Sequence, residues 1–167
     1  MAITLDVTIG GPNANSYLSL VSMNTIAETI PYMKDWLLDV NLNRSQILVY
    51  ATRLLDRYFI PAGELASETQ ALKWPRKHVI DIRTGRLISH EVIPTFVEYA
   101  TAEWAWVLRN ADDPSDAVGH GLQRLETPSY RMEFNGVPQK VVPRVVSSLM
   151  APYCMSMASP FHRVVRV

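Results

Sequence analysis

Between residues 93 and 108 the chain places Ile93, Phe96, Val97, Ala100, Trp104, Val107 and Leu108 at offsets of three and four. That is the 3.6-residue period of an α-helix with one wide apolar face; a half-buried strand would alternate every second residue. Tyr99, Ala102 and Trp106 form a second, narrower apolar stripe on another side of the same segment. A helix with two apolar sides needs two neighbours. That second stripe is covered either by the chain's own loop and C-terminal strands or by another subunit, since aromatics are enriched at interfaces. The helix begins between Ser89 and Pro94, because proline is tolerated in a first turn, and continues to about Arg109. Glu98 and Glu103 are assigned to its solvent side.

Two further helices precede it. Ile47, Leu48, Ala51, Leu54, Leu55 and Tyr58 recur at helical spacing, with Asn43 as N-cap and Pro61-Ala62-Gly63 as the stop. Earlier still, Ser19 or Ser22 caps a helix that ends before Pro31, and Trp36-Leu37-Leu38 lies in a connection that buries its indole. The first dozen residues form an arm that runs into the turn formers Gly10-Gly11-Pro12-Asn13. A long loop after residue 63 carries Trp74-Pro75-Arg76 and the turn Asp81-Ile82-Arg83-Thr84-Gly85. Because Trp74 precedes a proline it is pushed toward an extended backbone, and its large ring must lodge against something. Trp74, Pro75 and Arg76 are therefore read as a structural anchor for the loop, with Arg76 bonding loop carbonyls or a carboxylate.

Past Asn110 the pattern changes. Asp112-Asp113-Pro114-Ser115-Asp116 is an acidic linker, Leu122–Leu125 and Tyr130–Phe134 read as short strands, Asn135-Gly136 as a turn, and Arg144 to about Met150 as a short helix opened by Pro143. The end of the chain, with Phe161, Arg163, Val164, Val165, Arg166 and Val167, is apolar and basic with high β propensity. These residues suit docking on an exposed sheet edge or in a groove of a partner. The fold class expected is mainly α: a small helical bundle with a long loop, a short β-hairpin-like appendage and an extended C-terminal tail. The expected division is 1–118, a helical part with an N-terminal arm, and 119–167, the appendage, short helix and tail.

Composition narrows the function. At 167 residues, 48% apolar and 19% charged, the chain is globular and lacks the apolar continuity of a membrane span. Its start has neither the basic nor the apolar region of a signal peptide, so a cytoplasmic site of synthesis is expected. Sixteen basic residues balance sixteen acidic ones, whereas dedicated nucleic-acid-binding domains carry a basic excess. The four histidines, His78, His90, His120 and His162, stand too far apart for a metal motif, and Cys154 is alone, so no disulfide framework exists. No nucleophile elbow or P-loop is present, and Arg124 stands where Gly119-His120-Gly121 would need its third glycine. Neither an enzyme nor a cofactor is expected.

Ala14-Asn15-Ser16-Tyr17-Leu18-Ser19, the helix around Ala51-Thr52-Arg53-Leu54-Leu55-Asp56, the Trp74-Pro75-Arg76 loop, the Asp/Gly turn and the Ile93-Pro94 helix start occur in an order that resembles a tailed-bacteriophage family of head-to-tail adaptor, or head-completion, proteins. Members of that family are often labelled DnaT-like single-stranded-DNA-binding proteins. The resemblance covers about the first two-thirds of the chain. It implies a structural protein of the virion neck, assembled in the host cytoplasm as a homo-oligomeric ring, taken to be twelvefold. The ring would sit beneath the portal protein, offer a surface to a downstream tail or nozzle protein, and let DNA pass through its channel. Under that resemblance Tyr99, Ala102 and Trp106 are subunit-interface residues and the tail meets the portal. The alternative it carries is a replication-type single-stranded-DNA-binding protein, in which Trp74 and Arg76 would stack on bases and contact phosphates.

Overall fold

A computed structural model describes residues 3–38, 43–109, 124–127, 130–133 and 142–156. The protein is mainly α with a small amount of short antiparallel β structure. Helix α1, Leu20–Thr29, starts at Ser19, whose hydroxyl accepts from the Ser22 amide and so satisfies one of the free N–H groups of the first turn. It ends where Pro31 opens a 3-10 turn, Pro31–Met33, that leads directly into α2, Lys34–Leu38. The connection expected around Trp36 is thus itself helical. Trp36 is fully buried, and its indole N–H donates to Asn24 on α1 at 3.2 Å.

Helix α3, Arg44–Tyr58, is capped by Asn43 as its sequence required, with Leu48, Ala51, Thr52 and Leu55 buried. Without a break the chain becomes strand β1, Phe59–Pro61; β2, Glu64–Leu65, then pairs antiparallel with β3, Arg76–Lys77. Helix α4, Thr95–Arg109, follows Pro94 and lies at the centre, packed against α1, α3 and α5. Val97, Ala100, Trp104 and Leu108 are buried along the face that the spacing marked out, while Ile93, Phe96 and Val107 are partly covered.

Strands β4, Arg124–Thr127, and β5, Tyr130–Glu133, pair antiparallel with Leu125 opposite Met132. The acidic linker, the Asn135-Gly136 turn and the tail with Phe161, Arg163, Val164, Val165, Arg166 and Val167 lie outside the described residues. Helix α5, Arg144–Met150, opens at Pro143 and packs on α4. It is followed by β6, Cys154–Ser156, a strand that the local pattern did not announce. β6 pairs antiparallel with β1, Pro61 opposite Cys154 and Phe59 opposite Ser156, and so returns the chain to the end of α3. Val142, Val146, Met150 and Tyr153 belong to the same buried cluster as Leu18, Met23, Leu48, Phe59 and Trp104. α5 and β6 are therefore core components of the helical body, although a linker precedes them in the sequence.

No helix among the described residues is long and apolar enough to cross a membrane. No group of three or more His, Cys, Asp or Glu side chains among them could hold a metal ion.

Candidate functional site: an apolar groove beside a protruding hairpin

The long loop is pinned to α3 by one partly buried carboxylate. Asp56 accepts from the Tyr17 hydroxyl and, at 3.1 Å, from the Lys73 amide, while the Trp74 amide donates to the Tyr17 oxygen at 3.2 Å. Lys73 Nζ reaches the Phe59 carbonyl at 2.8 Å. Burial pushes the Asp56 carboxyl above its ordinary value despite the bonds that favour its ionised form, and burial followed by the neighbouring Asp56 charge pushes the Tyr17 phenol well up. Tyr17, Asp56 and Trp74 thus form a clamp whose parts are far apart in sequence.

Trp74 is 2% exposed and meets Phe96 edge to face at 5.3 Å between ring centres. Its face is therefore closed to a stacking base. Pro75 is buried beside it. Arg76 donates from Nε to Ala62 O at 3.2 Å and from Nη2 to Gly63 O at 2.6 Å, which makes it a brace between the two arms of the loop. Gly63 is required here: its φ is +72°, and an added Cβ would lie 2.1 Å from Lys77 O.

The loop then forms a hairpin that stands off the body. Ile88 N donates to Val79 O, Asp81 N to Arg86 O and Gly85 N to Asp81 O, with Ile80 opposite Leu87 across the bridge. Asp81 holds the turn from inside: Oδ1 accepts from the Arg83 amide at 2.9 Å, and the Arg83 guanidinium lies 3.4 Å away. Those contacts, the backbone one foremost, keep the Asp81 carboxyl below its usual range. The Tyr153 hydroxyl also donates to Asp81, at 3.1 Å. Tyr153 in turn stacks on Phe96 with ring centres 4.1 Å apart. A continuous aromatic chain, Trp74 to Phe96 to Tyr153, therefore moors the hairpin to α4 and to the end of α5.

Between the hairpin, the start of α4 and the end of α5 lies an open groove of about 670 Å³, lined largely by apolar side chains. Ile82 is 65% exposed on its rim, Leu87 66% and Val92 50%, and Tyr99 also faces solvent. Scattered exposed aliphatic residues are ordinary, whereas several around one concavity mark a contact surface. The sequence showed the turn Asp81–Gly85 but not this groove, because the aliphatic residues flanking the turn are indistinguishable in sequence from core residues.

The stripe expected to be a subunit interface divides. Ala102 is fully buried within its own chain and has no surface to offer a neighbour. Trp106 is partly covered, with Tyr32 at 6.2 Å and the Arg109 guanidinium at 5.1 Å from its ring. Tyr99, about two helical turns nearer the N-terminus of α4, is exposed at the groove. Glu103, expected on the solvent side, is buried; it accepts from the Tyr32 hydroxyl because the 3-10 turn closes over that part of α4. Burial first, then Glu103, pushes the Tyr32 phenol up to about 12. Glu98 is partly buried, and this raises its carboxyl above the ordinary value.

The helical body thus carries a central two-sided helix, a pinned loop and an exposed hairpin beside an apolar groove. A family model described as "Putative DnaT-like ssDNA binding protein" matches residues 1–167, and the chain belongs to that family. Neither the curated proteins nor the solved structures contain a match to it.

Proposed function

We propose that the chain is a head-to-tail adaptor of a tailed bacteriophage. It forms a ring of about twelve subunits beneath the portal in the virion neck, a number implied by its family resemblance and compatible with closed rotational symmetry. The observation that carries this reading is the groove with its exposed aliphatic rim, on a chain of zero formal net charge. An apolar concavity on an electrically balanced surface suits protein partners, and a balanced surface lets DNA pass a channel without adhering. Tyr99 is the part of the expected interface stripe that remains accessible. In this reading Phe161, Arg163, Val164, Val165, Arg166 and Val167 dock on the portal or a neighbouring subunit, and the opposite surface of the ring receives the tail or nozzle protein.

A second reading, single-stranded-DNA binding, is favoured by the family's description. Its physical support is the presence of Arg83, Arg86 and the exposed Tyr99 around one groove, since basic and aromatic side chains are the usual means of holding single strands. The closed position of Trp74 and the absence of net positive charge weigh against it. Electron microscopy of the purified protein, alone and with portal-bearing capsids, together with fluorescence anisotropy on a labelled oligonucleotide, separates the two. The adaptor reading expects rings at the portal and weak oligonucleotide binding. A submicromolar dissociation constant with a steep salt slope, and no ring, would replace it with the second reading.

A further inference from the structure

Ahead of α1 the chain runs as an arm that is hydrogen-bonded along one edge. Thr4 O accepts from the Asn15 side-chain amide at 3.0 Å, Asp6 N donates to Asn15 Oδ1 at 2.9 Å, and Asp6 O accepts from the Asn15 amide at 2.9 Å and the Ser16 amide at 3.3 Å. Thr8 N donates to Asp6 Oδ1 at 2.9 Å, and Thr8 O accepts from the Gly11 amide at 3.0 Å. Every one of these bonds falls on an even-numbered residue. The main-chain groups of Ile3, Leu5 and Val7 have no hydrogen-bond partner among the described residues. Successive residues of an extended chain direct their N–H and C=O groups to opposite edges, so the arm has one edge held by Asn15 and one edge open. An open edge is a template for another strand.

The side chains follow the same alternation. Ile3, Leu5 and Val7 share one face; Leu5 packs against the core, while Ile3 is 38% and Val7 39% exposed. Asp6 lies on the other face, and no other residue between 3 and 19 is charged. Hydrogen bonding from Thr8, its side chain before its backbone, keeps the Asp6 carboxyl below the usual range, so it is ionised at neutral pH. A strand that completes this edge needs apolar residues at alternate positions and a cation between them.

Of the longer stretches outside the described residues, one has that pattern. Residues 110–123 carry Asp112, Asp113, Pro114 and Asp116, which would bring like charge to Asp6, and residues 134–141 contain the Asn135-Gly136 turn and Pro138, which interrupt a strand. Residues 161–167 alternate: Phe161, Arg163, Val165 and Val167 fall on one face, His162, Val164 and Arg166 on the other. In the register that sets Phe161, Val165 and Val167 beside Ile3, Leu5 and Val7, Arg166 falls on the face of Asp6.

The root of that stretch also lies on the arm's side of the body. Ser156 is opposite Phe59 in the β1–β6 pair, where β1 gives way to α3 and so offers no further edge. Two turns back along α3, the Thr52 hydroxyl accepts from the Tyr17 amide, and Tyr17 directly follows the Asn15 and Ser16 amides that hold Asp6. That path from Ser156 to Asp6 is about 25 Å, taking roughly 10 Å for two helical turns and roughly 5 Å for each bonded step. Residues 157–164 cover about the same distance when extended, at about 3.3 Å per residue. A segment tethered within reach meets its site at an effective concentration that a second copy does not match in dilute solution. We propose that residues 161–167 add as a strand to the open edge of the arm, at Ile3–Val7 of the same chain. The pairing does not depend on the adaptor reading. Where the tail docks on a partner, the arm is the site it must leave, and the two compete for it.

The core cluster is assembled without this strand, so the pairing is read at the arm and not in the global melting midpoint. Residue-by-residue amide exchange of the full chain, measured by NMR, tests it. The Leu5 and Val7 amides should exchange at least about tenfold more slowly in the full chain than in a chain ending at Ala158, whereas Asp6 and Thr8, whose amides are already bonded, should change by less than about threefold. Val165→Pro in the full chain should speed Leu5 and Val7 as removal does, because proline cannot sustain a ladder. Nuclear Overhauser contacts between Leu5 or Val7 and residues 161–167 are expected in the full chain, and they should be absent between copies in a mixture of isotopically labelled and unlabelled protein. Equal exchange of Leu5 and Val7 in the two chains, or no contact between arm and tail, would overturn the pairing. Contacts between labelled and unlabelled copies would assign the edge to a second molecule and overturn the own-chain assignment.

Discussion

Asp56 carries two opposed effects in one side chain. Its bonds from Tyr17 and Lys73 favour the carboxylate, while burial favours the acid and prevails, so the folded value lies above the unfolded one. A raised folded value means that this group's contribution is fully present below about pH 4 and is lost as pH rises through the folded value. Asp56→Asn removes that dependence and leaves one backbone donor poorly matched, a cost of about 1–3 kcal/mol. The variant's deficit, measured by denaturant unfolding, should therefore narrow as pH rises from the ordinary carboxylate range toward neutrality; a deficit that widens would mean that the hydrogen bonds outweigh burial. Trp74 gives a second measurable contrast. Trp74→Ala should cost about 3–5 kcal/mol, as for other core aromatics. Trp74→Phe should cost far less, because it keeps most of the ring contacts and removes an indole N–H that has no partner among the described residues. Unchanged melting in the alanine variant would return Trp74 to a surface role.

The β1–β6 pairing explains why the end of the described chain is part of the core. Cys154 sits in that pairing, and burial pushes its thiol up to about 12. From a starting value of 9.0, this leaves roughly a thousandfold less thiolate at pH 8 than a free cysteine has. Alkylation of the native protein at pH 8 should accordingly be slow and should speed up when denaturant opens β6; rapid labelling without denaturant would show that the strand is not held. Helix α4 supplies a parallel contrast between two of its aromatics. On the adaptor reading, Tyr99→Ser should leave folding intact and abolish ring assembly, whereas Trp106→Ser should lower the melting temperature because Tyr32 and Arg109 rest on that indole. If Tyr99→Ser melts early while Trp106→Ser does not, their roles are exchanged.

At the scale of the whole molecule, the adaptor reading makes the tail sequence the part whose role is tested by removal. A chain ending at Ala158 retains α5 and β6, and with them the core that these elements complete. It should keep its circular-dichroism spectrum and thermal midpoint while failing to attach to portal-bearing capsids. Normal attachment would free Phe161, Arg163, Val164, Val165, Arg166 and Val167 from any docking role.

The sequence by itself determined helices α1, α3, α4 and α5, though not α2, because an apolar period of 3.6 residues and a capping or proline start are local properties: Ser19, Asn43 and Pro94 each stand where a helix begins. It also determined that Trp74 must lodge against something, since an indole before a proline leaves a loop with one large surface to bury. Only tertiary structure decided which faces of those helices remain open. Ala102 and Tyr99 lie three residues apart on one stripe, yet one is fully buried and the other borders the groove. Glu103 is drawn inside by a tyrosine more than seventy positions away. Strand β6 exists because β1 offers it an edge, and the groove exists because Asp81, Phe96 and Tyr153 meet there. Each of these depends on contacts between distant segments, whose partners local period and propensity do not encode.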